Sequence, residues 1–269
     1  MKTWRIGLAL LALWGASAAL AAPFEVAINP SRFELAGKSG QRIGQSLEIN
    51  NLNPQATEVA LRTLDWSLSD DGQLALYDAL QPGSCRPWVV LERPRVTVPG
   101  RGKRSFRFQV QVPADAGRGE CRFMIAVEGV EPAQQAVVPA DGGASVRLPV
   151  TGRIAVAVYL ALNGAQPRLE LLQLGVREVN GQRQPFASVR NQGDAHGRLG
   201  GALDATDAQG RTLTLDADGA PVLPGQTRTL ALLPRGDDGQ PAPGLRYPLK
   251  AKGLLDWDQG GFRVDTELR

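Results

Sequence analysis

The feature that most constrains the fold is a succession of short segments in which apolar and polar residues alternate. Ser105–Val112 is the clearest of them, because Phe106, Phe108 and Val110 share one parity. Side chains alternate across a β-strand, so this period of two predicts half-buried strands. Turn signals such as Ser69–Gly72 separate the segments at intervals of roughly 8–12 residues, which is typical of antiparallel sandwiches and barrels.

The segments fall into two series, which predict two domains. About seven runs between Phe24 and Tyr159 correspond to one immunoglobulin-like sandwich, and a second series follows from Arg168 to Leu268. No long helical period interrupts them, although Leu74–Leu80 could form a turn of helix. We therefore predict an all-β protein with two immunoglobulin-like β-sandwich domains, residues 23–158 and 159–269.

The first 22 residues have the composition of a secretory signal peptide. Lys2 and Arg5 form a basic start. Ile6–Trp14 is apolar, and Ala19–Ala22 supplies the small residues that precede a cleavage site. We predict cleavage after Ala22 and export of a soluble mature chain. The alternative, an N-terminal membrane anchor, is disfavoured because the apolar run is shorter than a membrane span.

The charge balance and the histidine count narrow the function classes. The sequence has 30 Lys and Arg against 27 Asp and Glu. Losing Lys2 and Arg5 with the leader leaves the chain almost neutral, without the basic excess of a nucleic-acid-binding protein. His196 is the only histidine, which excludes metal sites built from several histidines. We expect no metal, no cofactor and no nucleic-acid partner.

The two cysteines, Cys85 and Cys121, are predicted to form a disulfide. Outside the reducing cytosol such a pair is usually oxidised. Closing this loop should stabilise the fold by about 4 kcal/mol in the chain-entropy model. The alternative is a reactive or intermolecular pair, but neither cysteine lies in a Cys-x-x-Cys motif.

One strand has an unusual setting. A long connection, Glu128–Gly143, leads into the alternating segment Ala144–Tyr159, in which three apolar residues share a parity: Val146, Leu148 and Val150. They could belong to the core of their own domain, as period-two patterns usually do. Alternatively, the segment is an edge strand that lends its apolar row to another protein. Pro149 favours an edge, because proline cannot donate to a strand ladder.

At these residues the chain resembles the periplasmic chaperones of the chaperone–usher pathway, the PapD-like chaperones that assemble pili. The resemblance covers nearly the whole mature chain and is carried, besides the strand above, by Asn29–Phe33, Ile49–Asn51, Val96–Gly100, Gly119–Phe123 and Asp258–Gly261. It implies two immunoglobulin-like sandwiches at an angle, a periplasmic location and no enzymatic activity. The implied partners are pilus or fimbrial subunits and an outer-membrane usher, and the sequence leaves open whether free copies self-associate through the donor edge.

The resemblance also implies a mechanism, donor-strand complementation, which is an established case of strand addition. A pilus subunit lacks the last strand of its sandwich, and the row of Val146, Leu148 and Val150 would fill the resulting groove. Two basic residues would hold the subunit's C-terminal carboxylate. Arg32 matches the first, and we assign the second to Arg153, although a gap-free alignment places Ala155 there.

The family further carries a cluster of acid, arginine and acid between its domains. Glu120 and Asp258 match the two acids, whereas Tyr159 occupies the position of the arginine. The resemblance therefore predicts that another residue completes the cluster, or that the domain joint is held differently.

Two other functions compete with the chaperone hypothesis. An exported two-domain sandwich could bind carbohydrate or another surface ligand through exposed aromatic rings. A secreted hydrolase could use His196, but no Gly-x-Ser-x-Gly nucleophile elbow accompanies that residue.

Overall fold

The described part of the chain is built almost entirely of strands. A computed structural model describes residues 24–130, 134–139, 145–150, 152–236 and 238–269, and for residues 134–139 and 145–150 it describes the backbone only. The expected signal peptide, residues 1–22, lies outside the described residues. Within them, no helix is long and apolar enough to cross a membrane.

The N-terminal domain consists of two sheets that pack face to face. Its strands are β1 Val26–Asn29, β2 Arg32–Gly37, β3 Arg42–Asn51, β4 Thr57–Leu68, β5 Leu74–Tyr77, β6 Val89–Leu91, β7 Arg95–Val98, β8 Lys103–Gln111, β9 Gly119–Gly129, β10 Gln134–Pro139, β11 Ser145–Val150 and β12 Arg153–Leu162, with a 3-10 turn at Arg86–Trp88. One sheet has the order β1-β3-β8-β6, and the other has the order β2-β12-β9-β4-β5, with β7 on β4.

The alternating segments fill the space between these sheets, as predicted. Phe106, Phe108 and Val110 of β8 are buried, whereas Arg107 and Gln109 between them are exposed. From the facing sheet, the even-numbered residues of β12 from 154 to 160 and several residues of β9 enter the same core.

The first strand changes sheet, and this determines which edge of the domain is covered. β1 pairs antiparallel with β3, but β2, directly after it, pairs parallel with β12. The peptide Asn29–Pro30 between them is cis. Because proline has no N–H to donate, Pro30 suits a point at which the chain leaves one ladder and joins another.

The predicted disulfide between Cys85 and Cys121 is present, with a Cα–Cα distance of 5.9 Å. Both cysteines are buried. The bond links the segment that precedes β6 with strand β9, and β9 is the strand beside β12.

The C-terminal domain has a core of its own. Its strands are β13 Leu169–Val179, β14 Gln182–Asn191, β15 Gly197–Arg198, β16 Gly200–Thr206, β17 Thr212–Ala217, β18 Pro221–Val222, β19 Thr227–Arg235, β20 Leu249–Trp257 and β21 Gly260–Leu268. Seven of them follow the order β13-β14-β19-β17-β16-β20-β21, while β15 pairs with β18. The predicted fold class, all-β with two immunoglobulin-like sandwiches, is confirmed.

An apolar cluster joins the two domains. Leu223, in the C-terminal domain, packs against Leu64, Trp66, Met124 and Tyr159 of the N-terminal domain. These side chains lie on the outer face of the sheet that contains β4, β9 and β12. That sheet therefore has one face in its own core and the other against the neighbouring domain.

Three segments differ from the sequence-based expectations. Leu74–Leu80 begins with strand β5, paired with β4, and not with a helical turn. Gln134–Pro139, expected within a long connection, is a strand because β11 supplies it with a partner. β12 continues past residue 158, where we expected the domain to end, and stays in the N-terminal sheet until Leu162.

Candidate functional site

The candidate site begins at a hairpin that stands apart from the sandwich. β10 and β11 pair only with each other among the described strands, from Gln134 opposite Val150 to Pro139 opposite Ser145. The side chains of the expected donor residues Val146, Leu148 and Val150 lie outside the described part of the structure. The backbone of β11 is thus placed, and the apolar row that it carries stays a prediction.

The next strand, β12, begins with a stretch that is uncovered on one side. β2 joins β12 at Ala157, which is opposite Arg32. Over residues 153–156, β12 has β9 on one side, and no described strand pairs with it on the other. An uncovered strand edge with free backbone donors and acceptors therefore runs toward Arg32 and ends there.

Arg32 lies at the mouth of a cleft between the domains. Its Nε donates to Glu34 Oε1 at 2.7 Å, and about half of its side chain is exposed. The cleft encloses roughly 370 Å³, and the residues that line it include Arg32, Glu34, Glu120, Tyr159, His196, Arg198, Trp257 and Asp258.

Arg153, the second expected anchor, lies elsewhere on β12. It is four residues before Ala157, the strand partner of Arg32, which corresponds to about 13 Å along a strand. Its Nε is 2.5 Å from Glu128 Oε1. Arg62 also donates to Glu128, at 2.9 and 3.0 Å, so Glu128 is shared by two arginines. The structure therefore does not bring Arg153 and Arg32 together.

The strand register explains which side chains line the cleft. Glu34 on β2, Tyr159 on β12 and Arg122 on β9 are direct neighbours in one row across the sheet. In the next row, Ala36, Ala161 and Glu120 are neighbours. Neighbours in a row share a face, so the acids and Tyr159 all point toward the C-terminal domain.

Glu120, one of the two expected interdomain acids, contacts His196 of the C-terminal domain and also accepts a hydrogen bond from Arg122 Nη1 at 3.1 Å. The backbone N–H of His196 donates to Glu120 Oε2 at 2.7 Å, and the ring Nδ1 lies 2.5 Å from the same oxygen. Tyr159 stacks on the His196 ring with centroids 3.9 Å apart. Asp258 lines the cleft, but it forms no ion pair with any residue in the described ranges.

Arg198 contributes a cation from the C-terminal domain to the cleft. Its Nε donates to Glu34 Oε1 at 3.0 Å, and its guanidinium lies 5.5 Å from the centre of the Tyr159 ring. The sequence analysis missed both Arg198 and His196 as joint residues. Local pattern carries no signal for these pairings, because Glu120 lies 76 residues from His196 and Glu34 lies 164 residues from Arg198, in the other domain.

The two glutamates of the cleft are held in their ionised form. Burial raises the pKa of Glu120, but the hydrogen bonds and charge of His196 outweigh this effect, so the pKa lies below its ordinary value. Burial likewise raises the pKa of Glu34, and the opposing contacts with Arg32, Arg198 and His196 bring its pKa below the ordinary value. The cleft is therefore a network of fixed charges contributed by both domains.

This geometry does not favour a hydrolase at His196. Its Nδ1 faces Glu120, and its Nε2 lies 3.7 Å from Glu34 Oε1. Within the described residues, neither ring nitrogen is hydrogen-bonded to a serine or threonine hydroxyl or to a cysteine thiol. A nucleophile–base pair of the kind that activates a serine is thus missing from this part of the chain.

Two β-sandwiches with a charged cleft and an uncovered strand edge define the structural class of this protein. Solved structures of fimbrial chaperones are similar to it over most of its length. Identity with the class 5 fimbriae chaperone CfaA is 10%, covering 91% of this chain and 97% of that chain at a TM-score of 0.46. The YadV chaperone is 13% identical over 91% of this chain and 100% of that chain, at a TM-score of 0.46. The Pseudomonas aeruginosa CupB2 chaperone is 11% identical over 88% of this chain and 97% of that chain, at a TM-score of 0.45. No protein-family model and no curated protein matches the sequence.

Proposed function

We propose that this protein is a periplasmic chaperone that captures pilus or fimbrial subunits and delivers them to an outer-membrane usher. It acts by binding and strand donation, without an enzymatic step. The observation that carries the proposal is the uncovered edge of β11 and of residues 153–156 of β12, which ends at Arg32. The residues that carry the resemblance to PapD-like chaperones support the same function.

Strand addition accounts for the affinity. A subunit that lacks its last strand exposes an unpaired edge and an open core, and both drive aggregation. Backbone pairing with β11 would satisfy the edge. Each of Val146, Leu148 and Val150 would contribute about 1.5–3 kcal/mol when it is buried in the subunit's core.

The position of Arg32 gives the bound strand a direction. β2 runs parallel to β12 and begins at Arg32. A subunit strand that also runs parallel to β11 and β12 would reach Arg32 with its carboxyl end. A charge-assisted hydrogen bond there would be worth about 1.5–3 kcal/mol. Arg153 is the second proposed anchor, and it would have to release Glu128 to take part.

Release would not need nucleotide. The strand of another subunit could replace β11 at the usher, because the same groove accepts either strand. Without a subunit, the uncovered edge of β11 would also allow two copies of the chaperone to associate.

The proposal is tested by comparing two serine variants on β11. The protein is co-expressed with a pilus subunit from its own genome, and the captured subunit is quantified. We expect Leu148→Ser to lower capture by about tenfold or more, because an apolar residue of the donor row is lost. Arg147→Ser, on the opposite face of the same strand, is the matched control and should leave capture unchanged.

Thermal unfolding of the free protein distinguishes donation from ordinary core packing. If the row is lent to a subunit, Leu148→Ser leaves the midpoint of the free chaperone unchanged. A large drop in that midpoint would assign Leu148 to the protein's own core, and normal subunit capture by this variant would contradict the proposal.

A further inference from the structure

Two arginines from different domains meet at one oxygen atom in the cleft. Arg32, at the start of β2, donates to Glu34 Oε1 at 2.7 Å, and Arg198, in β15, donates to the same oxygen at 3.0 Å. Both donors are Nε atoms. The Glu34 carboxylate thus shows where an anion fits between these two guanidinium groups.

Arg198 is held in position independently of Glu34. Its Nη1 donates to the backbone carbonyl of Gly219 at 2.8 Å, and its guanidinium faces the ring of Tyr159. Its side chain is 22% exposed, against 51% for Arg32. A planar guanidinium that is already oriented loses little freedom when it binds a carboxylate.

Glu34 is the member of this group that would have to move for the two arginines to bind another carboxylate. Its side chain lines the cleft but is 41% exposed, so rotation into solvent would not leave a buried charge. Glu120, in contrast, is buried and bound to both His196 and Arg122. If Glu34 turns away, Arg32 and Arg198 face the cleft at the place where the uncovered edge of β12 ends.

We infer that Arg32 and Arg198 together form the receptor for a client's terminal carboxylate, and that Glu34 occupies this receptor in the unbound protein. The inference rests on the proposed function and changes its second anchor. Arg153, on β12, lies about 13 Å further along the strand and is bound to Glu128, whereas Arg198 is already beside Arg32. The site thus uses one cation from each domain, and a bound client also bridges the domains.

The first experiment compares capture of the co-expressed pilus subunit by alanine variants. We expect Arg198→Ala to lower capture as much as Arg32→Ala does, about tenfold, and the double variant to lose little more, because both contact one carboxylate. Arg153→Ala should have a smaller effect. Arg118→Ala is the matched control, because Arg118 pairs with Asp194 across the same domain joint but lies outside the cleft.

Folding of each variant is checked by thermal unfolding. Arg198→Lys provides a milder change that keeps the positive charge but removes the planar guanidinium, which can donate two parallel hydrogen bonds to a carboxylate. If Arg32→Ala and Arg153→Ala both abolish capture while a folded Arg198→Ala behaves like the wild type, the inference is wrong and the proposed function stands. If the wild type captures no subunit, the proposed function fails, and the second experiment decides the inference alone.

The second experiment uses sodium acetate as the probe, with sodium chloride at equal ionic strength as the control. The Nε–Hε signals of Arg32 and Arg198 are followed by NMR during the titration. In Glu34→Gln both signals should shift with one common midpoint, at an acetate concentration about tenfold lower than in the wild type. Shifts of only one arginine, or equal midpoints in both proteins, would overturn the inference.

Discussion

Glu120 and His196 belong to different domains and share two contacts through a single carboxylate oxygen. That oxygen accepts the backbone N–H of His196 at 2.7 Å and lies 2.5 Å from the ring Nδ1. Both side chains are buried, at 1% and 9% exposure. A buried carboxylate depends on such partners, so the joint between the domains should be sensitive to the charge of Glu120.

Glu120→Gln should therefore destabilise the protein in a pH-dependent way. Because the contacts with His196 hold the pKa of Glu120 below its ordinary value, they add stability above the ordinary glutamate pKa of about 4.3. This stability is lost as the pH falls through the lowered value. We expect the variant to lose about 1.5–3 kcal/mol at pH 7 and to approach the wild type in acid.

Urea unfolding at several pH values measures this difference. Glu178→Gln is the control, because Glu178 is exposed, and it should differ from the wild type by no more than about 0.5 kcal/mol. A gap between Glu120→Gln and the wild type that stays constant from pH 7 to pH 3 would show that the ionised carboxylate is not the cause.

Leu223→Ala should loosen the joint itself. Leu223 is 5% exposed and packs against the N-terminal side chains Leu64, Trp66 and Tyr159. Removing a buried leucine side chain typically costs about 2–5 kcal/mol. Leu213→Ala removes the same atoms from the C-terminal core. Small-angle scattering should change for Leu223→Ala and stay unchanged for Leu213→Ala, and identical curves for both would argue against a joint held by this cluster.

Asn191→Ala should destabilise the loop that presents His196. The Asn191 side chain is fully buried. Its Nδ2 donates to the carbonyls of Ala195 and Val222, and its Oδ1 accepts from the N–H of Arg168 and Gly193. Leaving such buried groups unpaired should cost about 2–4 kcal/mol.

The adjacent residue offers a matched control for this change. The amide of Gln192 is exposed and donates to Glu170 only on the surface, so Gln192→Ala should be nearly neutral. The comparison is made by urea unfolding, with the His196 ring signals followed by NMR. Equal stability of the two variants would contradict the role assigned to Asn191.

Loss of the disulfide should lower stability without changing the fold. Cys85 and Cys121 are 36 residues apart, and opening a loop of this size costs about 4 kcal/mol in the chain-entropy model. Cys85→Ser/Cys121→Ser should show this loss in urea. Adding a reductant should bring the wild type to the same midpoint and leave the variant unaffected, and a reductant-insensitive wild type would be evidence against the prediction.

The fold is predictable from the sequence where local pattern decides the structure. The period of two in Ser105–Val112 corresponds to a buried row in β8, and Ser69–Gly72 forms the turn between β4 and β5. Leu74–Leu80 is compatible in sequence with a turn of helix, but it begins with a strand, because its apolar residues also fit a strand and β4 offers a partner. For such short runs, the neighbouring strand decides between the two structures.

The charged cleft was only partly predictable, for a physical reason. Glu120 was expected to be an interdomain residue, but its partner His196 is 76 residues away and in the other domain. Period-two patterns give the face of each side chain, but not the register between strands. The row of Glu34, Tyr159 and Arg122 exists only because β2 pairs parallel with β12, after the chain has changed sheet at Pro30.

That change of sheet has a consequence for selectivity. From Ala157 onward, β2 occupies the outer edge of β12. A partner strand bound along the free part of that edge would therefore end where β2 begins, at Arg32. β2 would then limit how far the carboxyl end of the partner strand can extend, largely whatever the sequence of that strand. Partner strands of unrelated sequence could therefore bind the same protein, whereas a strand with a few extra residues at its carboxyl end would collide with β2 and would not bind.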